Sequence, residues 1–255
     1  MEGLRGFILC DIKQGMEETI INGEDAPAGK VNKGIEEMME AGLHFGHKTS
    51  KTHPKMKPFI TGVRNTIHII NLEKTQEKLD EVFGVIKQMV TEDKTILLVG
   101  TKVQARALVK ELAEEVRMPY VTERWIGGLF TNFEEVSKRL AHLKDLEEKL
   151  ADQEKASKYT KWERHEMAEE IKKLEKKFGG VRSLEKKPDA MLMFDIEENQ
   201  IAVREAKIMG VKIIAIADTN TNPTQADYII PANNDAVTSM RYLVDKIKGA
   251  FQKTI

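Results

Sequence analysis

Short apolar runs alternate with longer segments of helical periodicity along most of the chain. The runs that fit strands span residues 67–70, 95–99, 190–194, 212–217 and 228–230. The segments that fit helices span residues 73–90, 103–116, 198–209 and 235–251. This alternation is typical of βαβ units and predicts an α/β fold of the flavodoxin or Rossmann type, in which helices flank a parallel sheet.

A segment without a strand pattern interrupts the alternation over residues 134–177, where 24 of 44 residues are charged, twelve of each sign. Apolar residues recur in it at heptad-like spacing, namely Val136, Leu140, Leu143 and Leu150, then Met167, Ile171, Leu174, Phe178 and Val181. Two such helices predict an inserted antiparallel coiled-coil α-hairpin, and a solvated structural arm is the alternative. The predicted organisation is a flexible N-terminal extension (1–33), an α/β domain in two parts (34–132 and 183–255) and the hairpin (133–182).

The composition narrows the class of protein. A chain of 255 residues can bury a core, and its net charge of −1 gives no general attraction to polyanions. Cys10 is the only cysteine, which excludes disulfides within the chain and cysteine-ligated metal clusters and suits the reducing cytoplasm. Because no apolar run approaches the length of a bilayer span, we expect a cytoplasmic protein without a membrane partner.

The charge is distributed unevenly, because residues 41–72 contain no Asp or Glu although the chain has 41 of them. At that density about five acids are expected in such a segment. It carries instead four histidines and five cations, which are Lys48, Lys51, Lys55, Lys57 and Arg64. One continuous helix is excluded by Pro54, Pro58, Gly46 and Gly62, which predict a loop-rich arm, hereafter the basic arm. Its uncompensated charge predicts a polyanion nearby, and a solvated flexible loop is the alternative.

Two further motifs are candidates for phosphate binding. Lys102 and Arg106 follow a predicted strand, one helical turn apart, and could bind one phosphate backbone or remain solvated. Thr101 beside them is expected to cap the helix. Arg124 and Trp125 precede a glycine pair and could hold a phosphate and a base, although the indole could equally plug the root of the hairpin.

A metal site is a weaker prediction. His47, Asp218 and Asp235 could converge on a Mg²⁺ or Zn²⁺ ion, although capping of the last helix by Asp235 is the favoured alternative. No cofactor is expected to be required. No catalytic residues are predicted, because the histidines of the basic arm lie among lysines rather than among carboxylates that would orient them as bases.

Eight segments in order resemble the small-subunit ribosomal protein two family of the bacterial type. They are residues 41–47 (AGLHFGH), 54–60 (PKMKPFI), 68–75 (HIINLEKT), 99–102 (VGTK), 124–128 (RWIGG), 188–190 (PDA), 218–220 (DTN) and 230–236 (IPANNDA). The resemblance covers about residues 34–251, and the N-terminal extension has no counterpart in it. Asn234 stands where the family commonly has an Asp, which weakens the metal prediction.

The resemblance implies a non-enzymatic component of the 30S subunit, bound to 16S rRNA between head and body. It also implies a docking surface for the large mRNA-binding small-subunit protein one and contacts with neighbouring small-subunit proteins. The residues expected to touch rRNA are His47, Lys48, Lys51, Lys55, Lys57, Arg64, Lys102, Arg106, Arg124 and Trp125.

Two other functions stay open from the residues alone. The chain could be an α/β binding protein or enzyme for a phosphorylated small molecule, using Gly100, Thr101 and Asp218. It could also be an adaptor in which only the hairpin matters.

Overall fold

A computed structural model describes residues 33–152 and 157–252, which lie in one compact unit. The helices are α1 (Lys33–Glu40), α2 (Leu72–Thr91), α3 (Val103–Val116), α4 (Phe133–Ala151), α5 (Lys161–Phe178), α6 (Gln200–Met209) and α7 (Val237–Gln252). The strands are β1 (Phe45–Lys48), β2 (Ile60–Arg64), β3 (Ile67–Ile70), β4 (Ile96–Val99), β5 (Tyr120–Val121), β6 (Ala190–Met193), β7 (Lys212–Ala217) and β8 (Tyr228–Pro231). The predicted N-terminal extension falls, except for its last residue, outside the described residues.

A parallel sheet of five strands forms the centre, in the order β5-β4-β6-β7-β8. Numbered along the chain within this sheet, the order is 2-1-3-4-5, which is the flavodoxin-like arrangement. The predicted α/β fold with a parallel sheet is therefore confirmed. In such a sheet the strand order reverses between the first and third strands, here β4 and β6, and their carboxyl ends border the usual ligand position.

Helices cover the sheet on both faces. Ile96 and Leu98 of β4 belong to a buried cluster with α2, α3 and α7. Leu97 and Val99 of the same strand belong to a second cluster with α6 and residues of α4 and α5. Because successive side chains of a strand point to opposite faces, burial on both faces requires an unbroken apolar run. No helix among residues 33–152 and 157–252 is long and apolar enough to cross a bilayer.

The basic arm is more regular than its sequence predicts. It contains β1, β2 and β3, which form a separate antiparallel sheet in the order β1-β3-β2. The prediction of a loop-rich arm was therefore wrong, and so was the prediction that residues 67–70 join the parallel sheet. No apolar alternation revealed β1 and β2, because their residues are exposed or half-buried, and pairing with β3 defines both strands.

The predicted hairpin segment consists of α4 and α5, which pack against each other. Val136, Leu140 and Leu143 are buried as predicted, whereas Leu146 is buried in place of Leu150. At the end of α5, Gly179 stands at the C-cap, as the glycine pair in the sequence indicates. The coiled-coil geometry and the domain boundaries stay predictions.

Candidate nucleic-acid interface and an adjoining polar cluster

The carboxyl ends of the parallel strands bring a set of polar side chains together. We call this set the polar cluster, and its members are Thr101 and Lys102 after β4, Asp195 after β6, Asp218 and Thr219 after β7, and Asn234 and Asp235 after β8. Parallel strands place these chain positions at one edge of the sheet, although the set spans more than a hundred residues of sequence.

Lys102 is the cation of the polar cluster, and its side chain is only 13% exposed. Its ammonium lies 2.5 Å from Asp235 Oδ1 and 3.4 Å from Asp195 Oδ2, and it donates a 2.8 Å hydrogen bond to Asn234 Oδ1. Burial alone would lower the pKa of Lys102, but the hydrogen bond to Asp235 and the charge of Asp195 outweigh burial and raise it. The ammonium of Lys102 therefore interacts mainly with other groups of the protein.

Arg106, the second cation of this motif, is also held by the protein. Its Nε donates to the Thr101 carbonyl at 2.8 Å, and its guanidinium lies 3.6 Å from the carboxylate of Glu123. These contacts leave Lys102 and Arg106 less available to phosphate than their spacing indicates, and their part in RNA binding stays a prediction.

The chain's own side chains occupy the ligand position between β4 and β6. The Thr101 hydroxyl donates to Glu198 Oε2 at 3.2 Å and accepts from Asn199 Nδ2 at 2.9 Å. The expectation that Thr101 caps α3 was wrong, because Lys102 holds the N-cap position and makes no capping bond from its side chain. A phosphorylated ligand at this point would have to displace the pair of Lys102 with Asp195.

His47 of β1 joins the basic arm to the polar cluster. Its Nδ1 lies 3.1 Å from Asp218 Oδ1, and its Nε2 lies 3.3 Å from Asp235 Oδ2. Contact with Asp218 raises the pKa of His47, partial burial opposes the rise, and the charge of Asp235 adds to it. The Nδ1 contact is short but lacks the direction of a hydrogen bond, so we interpret it as charge attraction, and Nδ1 stays without a hydrogen-bond partner.

The same residues fit a divalent cation. One ring nitrogen and one oxygen from each of Asp218 and Asp235 lie within 4.8 Å of one another. With His47 neutral, the three carboxylates of the cluster outweigh the single ammonium of Lys102 by two charges. A set of one imidazole and two carboxylates suits zinc better than magnesium, which prefers oxygen ligands.

Asp235 does not cap the last helix, which begins at Val237. Asn233 bonds the backbone there instead, because its Oδ1 accepts from the amides of Asp235 and Ala236 at 2.9 and 3.3 Å. The capping alternative for Asp235 was therefore wrong, and its carboxylate is free to face His47 and Lys102. Asp218 likewise binds His47 and Thr219 rather than a helix end.

The basic arm presents its cations to solvent. Five of them are exposed, namely Lys48, Lys51, Lys55, Lys57 and Arg64. Lys55 donates a 3.1 Å hydrogen bond to Thr224 Oγ1. Among the described residues, no carboxylate forms an ion pair with any of the five. An exposed and uncompensated group of this kind is what a phosphate backbone recognises.

Arg124 and Trp125 are adjacent in sequence but differ in exposure. Arg124 is exposed, whereas Trp125 is 8% exposed and packs edge-on against Phe130 at 5.0 Å between ring centres. The Trp125 indole is therefore part of the second core cluster, which also contains residues of α4 and α5. This packing favours the alternative in which Trp125 fills the root of the hairpin, because its ring face is not available to a base.

Glu205 organises this loop and was missed from the sequence. Its carboxylate is 7% exposed and accepts from Trp125 Nε1 and from the amides of Gly128, Phe130 and Thr131. The sequence did contain a signal for this role of Glu205. Glu205 is the single acid on the inner face of α6, where its neighbours on that face are Ala202, Val203 and Ala206. An acid on an apolar face indicates buried donors that need an acceptor.

Comparison with known proteins gives a consistent result. The sequence model of the family described as Ribosomal protein S2 matches residues 38–254. The small ribosomal subunit protein uS2 of Bifidobacterium longum (strain DJO10A) is 44% identical over 216 residues, which cover 85% of this chain and 77% of the relative. Proteins of the same name from Bifidobacterium adolescentis and Bifidobacterium animalis subsp. lactis are also 44% identical over 85% of this chain, with 79% and 71% of their own lengths covered.

Proposed function

The chain belongs to the ribosomal protein S2 family, and from this premise we propose that it is a structural constituent of the small ribosomal subunit that binds 16S rRNA through its basic arm. A structural role in a ribonucleoprotein requires no catalytic residue, which agrees with the sequence analysis. Such a protein acts in translation, in the cytoplasm, among neighbouring small-subunit proteins.

One observation carries the RNA-binding proposal. The five cations of the basic arm are exposed on a segment without any acid, while Lys102 is turned inward to the two carboxylates of Asp195 and Asp235, and Arg106 is held by Glu123. A phosphate contact requires a cation that can exchange water or counterions for phosphate oxygens. We therefore assign the rRNA contacts first to Lys48, Lys51, Lys55, Lys57 and Arg64, with Arg124 at the margin. His47 is a weaker candidate, because both of its ring nitrogens face carboxylates.

The salt dependence of binding tests this assignment. The protein is titrated against small-subunit particles from which the endogenous copy has been removed, at several salt concentrations. Each phosphate contact contributes about −0.9 to the slope of log affinity against log salt, if the rRNA is duplex at the contact. We expect the slope to become shallower by about one unit in Lys57→Ala and again in Arg64→Ala.

Lys110→Ala is the matched control. Lys110 is an exposed lysine of α3, 3.8 Å from Glu114, and lies outside the basic arm. Its replacement should leave the slope unchanged. Equal slopes for Lys57→Ala, Arg64→Ala and Lys110→Ala would show that the basic arm does not contact phosphate.

The docking of small-subunit protein one is a further part of the proposed function and rests on the family alone. Depleted particles are mixed with small-subunit protein one, with and without this chain, and its retention is measured after sedimentation. We expect retention to depend on this chain. Equal retention in both samples would contradict a docking role.

We also propose that His47, Asp218 and Asp235 hold a divalent cation, for which zinc is the better candidate. The buried His47 Nδ1 without a hydrogen-bond partner and the excess of carboxylates support this assignment. The cation would join the basic arm to the body and supply no chemistry beyond that link. Metal analysis of the purified protein should find about one zinc per chain, and less in Asp235→Asn. Adding EDTA should shift the melting temperature of the wild type but not that of Asp235→Asn. Zinc absent from both proteins would contradict the assignment.

A further inference from the structure

We propose that Thr219 is a positioning residue, which together with Gly46 holds the basic arm in its RNA-binding conformation before RNA arrives. This inference rests on the proposed function, because it assigns to the body of the protein a role in setting where the arm's cations stand. Thr219 has no charge and is 0% exposed, so it cannot itself touch RNA.

Thr219 binds the arm at two points. Its hydroxyl accepts a 2.8 Å hydrogen bond from the backbone amide of His47 and donates at 3.1 Å to Asp218 Oδ1. Its carbonyl accepts a 2.9 Å hydrogen bond from the amide of His53. A hydroxyl can donate and accept at the same time, so one buried side chain connects the arm's backbone to a carboxylate of the body.

Gly46 permits the close approach that these bonds require. A methyl carbon added at Gly46 would lie 2.5 Å from Thr219 Cγ2 and 2.8 Å from Thr219 Oγ1, and 3.2 Å from the carbonyl oxygen of His68. These separations are shorter than van der Waals contact, so any side chain here would push β1 away from Thr219. Glycine is required at position 46 because there is no space for a larger side chain.

The two points of attachment enclose part of the RNA-binding charge. Lys48 and Lys51 lie between His47 and His53 in sequence, and Lys55 follows two residues later with its own bond to Thr224. A short segment fixed at both ends keeps few conformations. If the attachment is lost, the same cations must be ordered when RNA binds. The entropic cost of ordering them then makes the free energy of binding less favourable. Thr219 therefore affects affinity without contributing a phosphate contact.

This mechanism makes a prediction that a phosphate-contacting residue does not share. Removing a contacting cation changes the salt slope, because fewer counterions are released. Loosening the arm leaves the number of contacts unchanged and lowers the affinity equally at all salt concentrations. A parallel downward shift with an unaltered slope is therefore the signature of positioning.

The experiment uses three variants of the full chain. Thr219→Val keeps the shape and removes the hydroxyl, Thr219→Ser keeps the hydroxyl, and Gly46→Ala introduces the steric conflict. Hydrogen exchange is measured on the free protein, and affinity for depleted small-subunit particles is measured across salt. We expect the amides of residues 46–53 to exchange about tenfold faster in Thr219→Val, the scale of one lost hydrogen bond, with a similar fall in affinity.

The other two of these variants define specificity. Thr219→Ser should exchange and bind like the wild type, while Gly46→Ala should resemble Thr219→Val. The control is Thr75→Val, which removes another fully buried hydroxyl, bonded to the Asn71 and Pro231 carbonyls. It should lower global stability to a similar extent and leave the arm's exchange relative to the body unchanged.

Three results would overturn the inference. Wild-type exchange of residues 46–53 in Thr219→Val would show that the hydroxyl does not hold the arm. Faster exchange with unchanged affinity would show that arm order does not position the cations. If the wild type itself failed to bind depleted particles, the proposed function would fail and positioning with it, while the exchange data would still show whether the arm is attached.

Discussion

Replacing Glu205 gives the sharpest test of what holds the loop over residues 125–131 at the root of the hairpin. Its carboxylate accepts from Gly128 N at 2.8 Å, Phe130 N at 3.0 Å and Trp125 Nε1 at 3.2 Å, and more weakly from Thr131 N and Oγ1, both at 3.4 Å. Glu205→Ala removes the shared acceptor and leaves three well-placed donors without a partner. A buried donor left unpaired costs about 1–3 kcal/mol. Water can enter the space left by the side chain and restore part of the lost hydrogen bonding. We therefore expect a total loss of about 3–5 kcal/mol in the free energy of unfolding.

Glu205→Gln separates hydrogen bonding from packing. The amide has almost the same shape, but its NH₂ group would face backbone donors at one of the two oxygen positions. We expect it to lose about 2–3 kcal/mol, close to the alanine variant despite the conserved volume. If packing dominated, the glutamine variant would instead be nearly neutral.

Urea unfolding followed by tryptophan fluorescence provides the measurement. Trp125 is buried beside Glu205, whereas Trp162 is 70% exposed, so a Trp162→Phe background isolates the loop signal. Glu77→Ala, an exposed acid of α2, is the control and should change stability by less than about 0.5 kcal/mol. A loss below about 1 kcal/mol in Glu205→Ala would refute the view that this carboxylate organises the loop.

Three further predictions concern other parts of the molecule. Lys102→Ala leaves the carboxylates around it unpaired and should cost about 2–3 kcal/mol in urea unfolding, while Lys110→Ala should be nearly neutral. Burial, and secondarily the charge of Arg64, lowers the pKa of His44. The contribution of neutral His44 to stability is therefore complete above about pH 6.5 and is lost as the pH falls. The fall in melting temperature from pH 7.5 to 5.5 should be smaller in His44→Gln than in the wild type, and an equal fall would contradict this. Leu143→Ala in α4 should cost about 2–4 kcal/mol and speed proteolysis of the hairpin, and a neutral result would show that the α4–α5 contact is not a true core.

The sequence predicts the parallel sheet well because burial on both faces leaves a strong signal. The runs at residues 96–99 and 213–217 are apolar throughout, and α3 has the predicted bounds because its polar and apolar faces are distinct. The basic arm gives no such signal, since β1 and β2 are partly exposed, rich in polar residues and each interrupted by a glycine. Their order comes from pairing with β3 and, for β1, from the hydrogen bond of His47 to Thr219, which lies 172 residues away.

The candidate site was predictable in charge but not in geometry. The absence of acids over residues 41–72 identifies the basic arm from composition alone. The inward turn of Lys102 could not be predicted, because its partners Asp195 and Asp235 are close only after β6 and β8 are in place. The role of Thr219 could not be predicted from the sequence for the same reason. A hydroxyl becomes a positioning group only when the fold brings Gly46 against it.

One of the two edge strands of the parallel sheet, β5, affects how readily the protein aggregates before it joins a ribosome. β5 lies at the edge of the sheet and has only two residues, and the backbone at Gly180 packs so closely on Tyr120 that an added methyl would lie 2.7 Å from its ring. An open sheet edge is a template on which other chains can add strands. Here the template is too short and too closely covered to recruit one, so a copy waiting for assembly is protected on that side from aggregating with its neighbours.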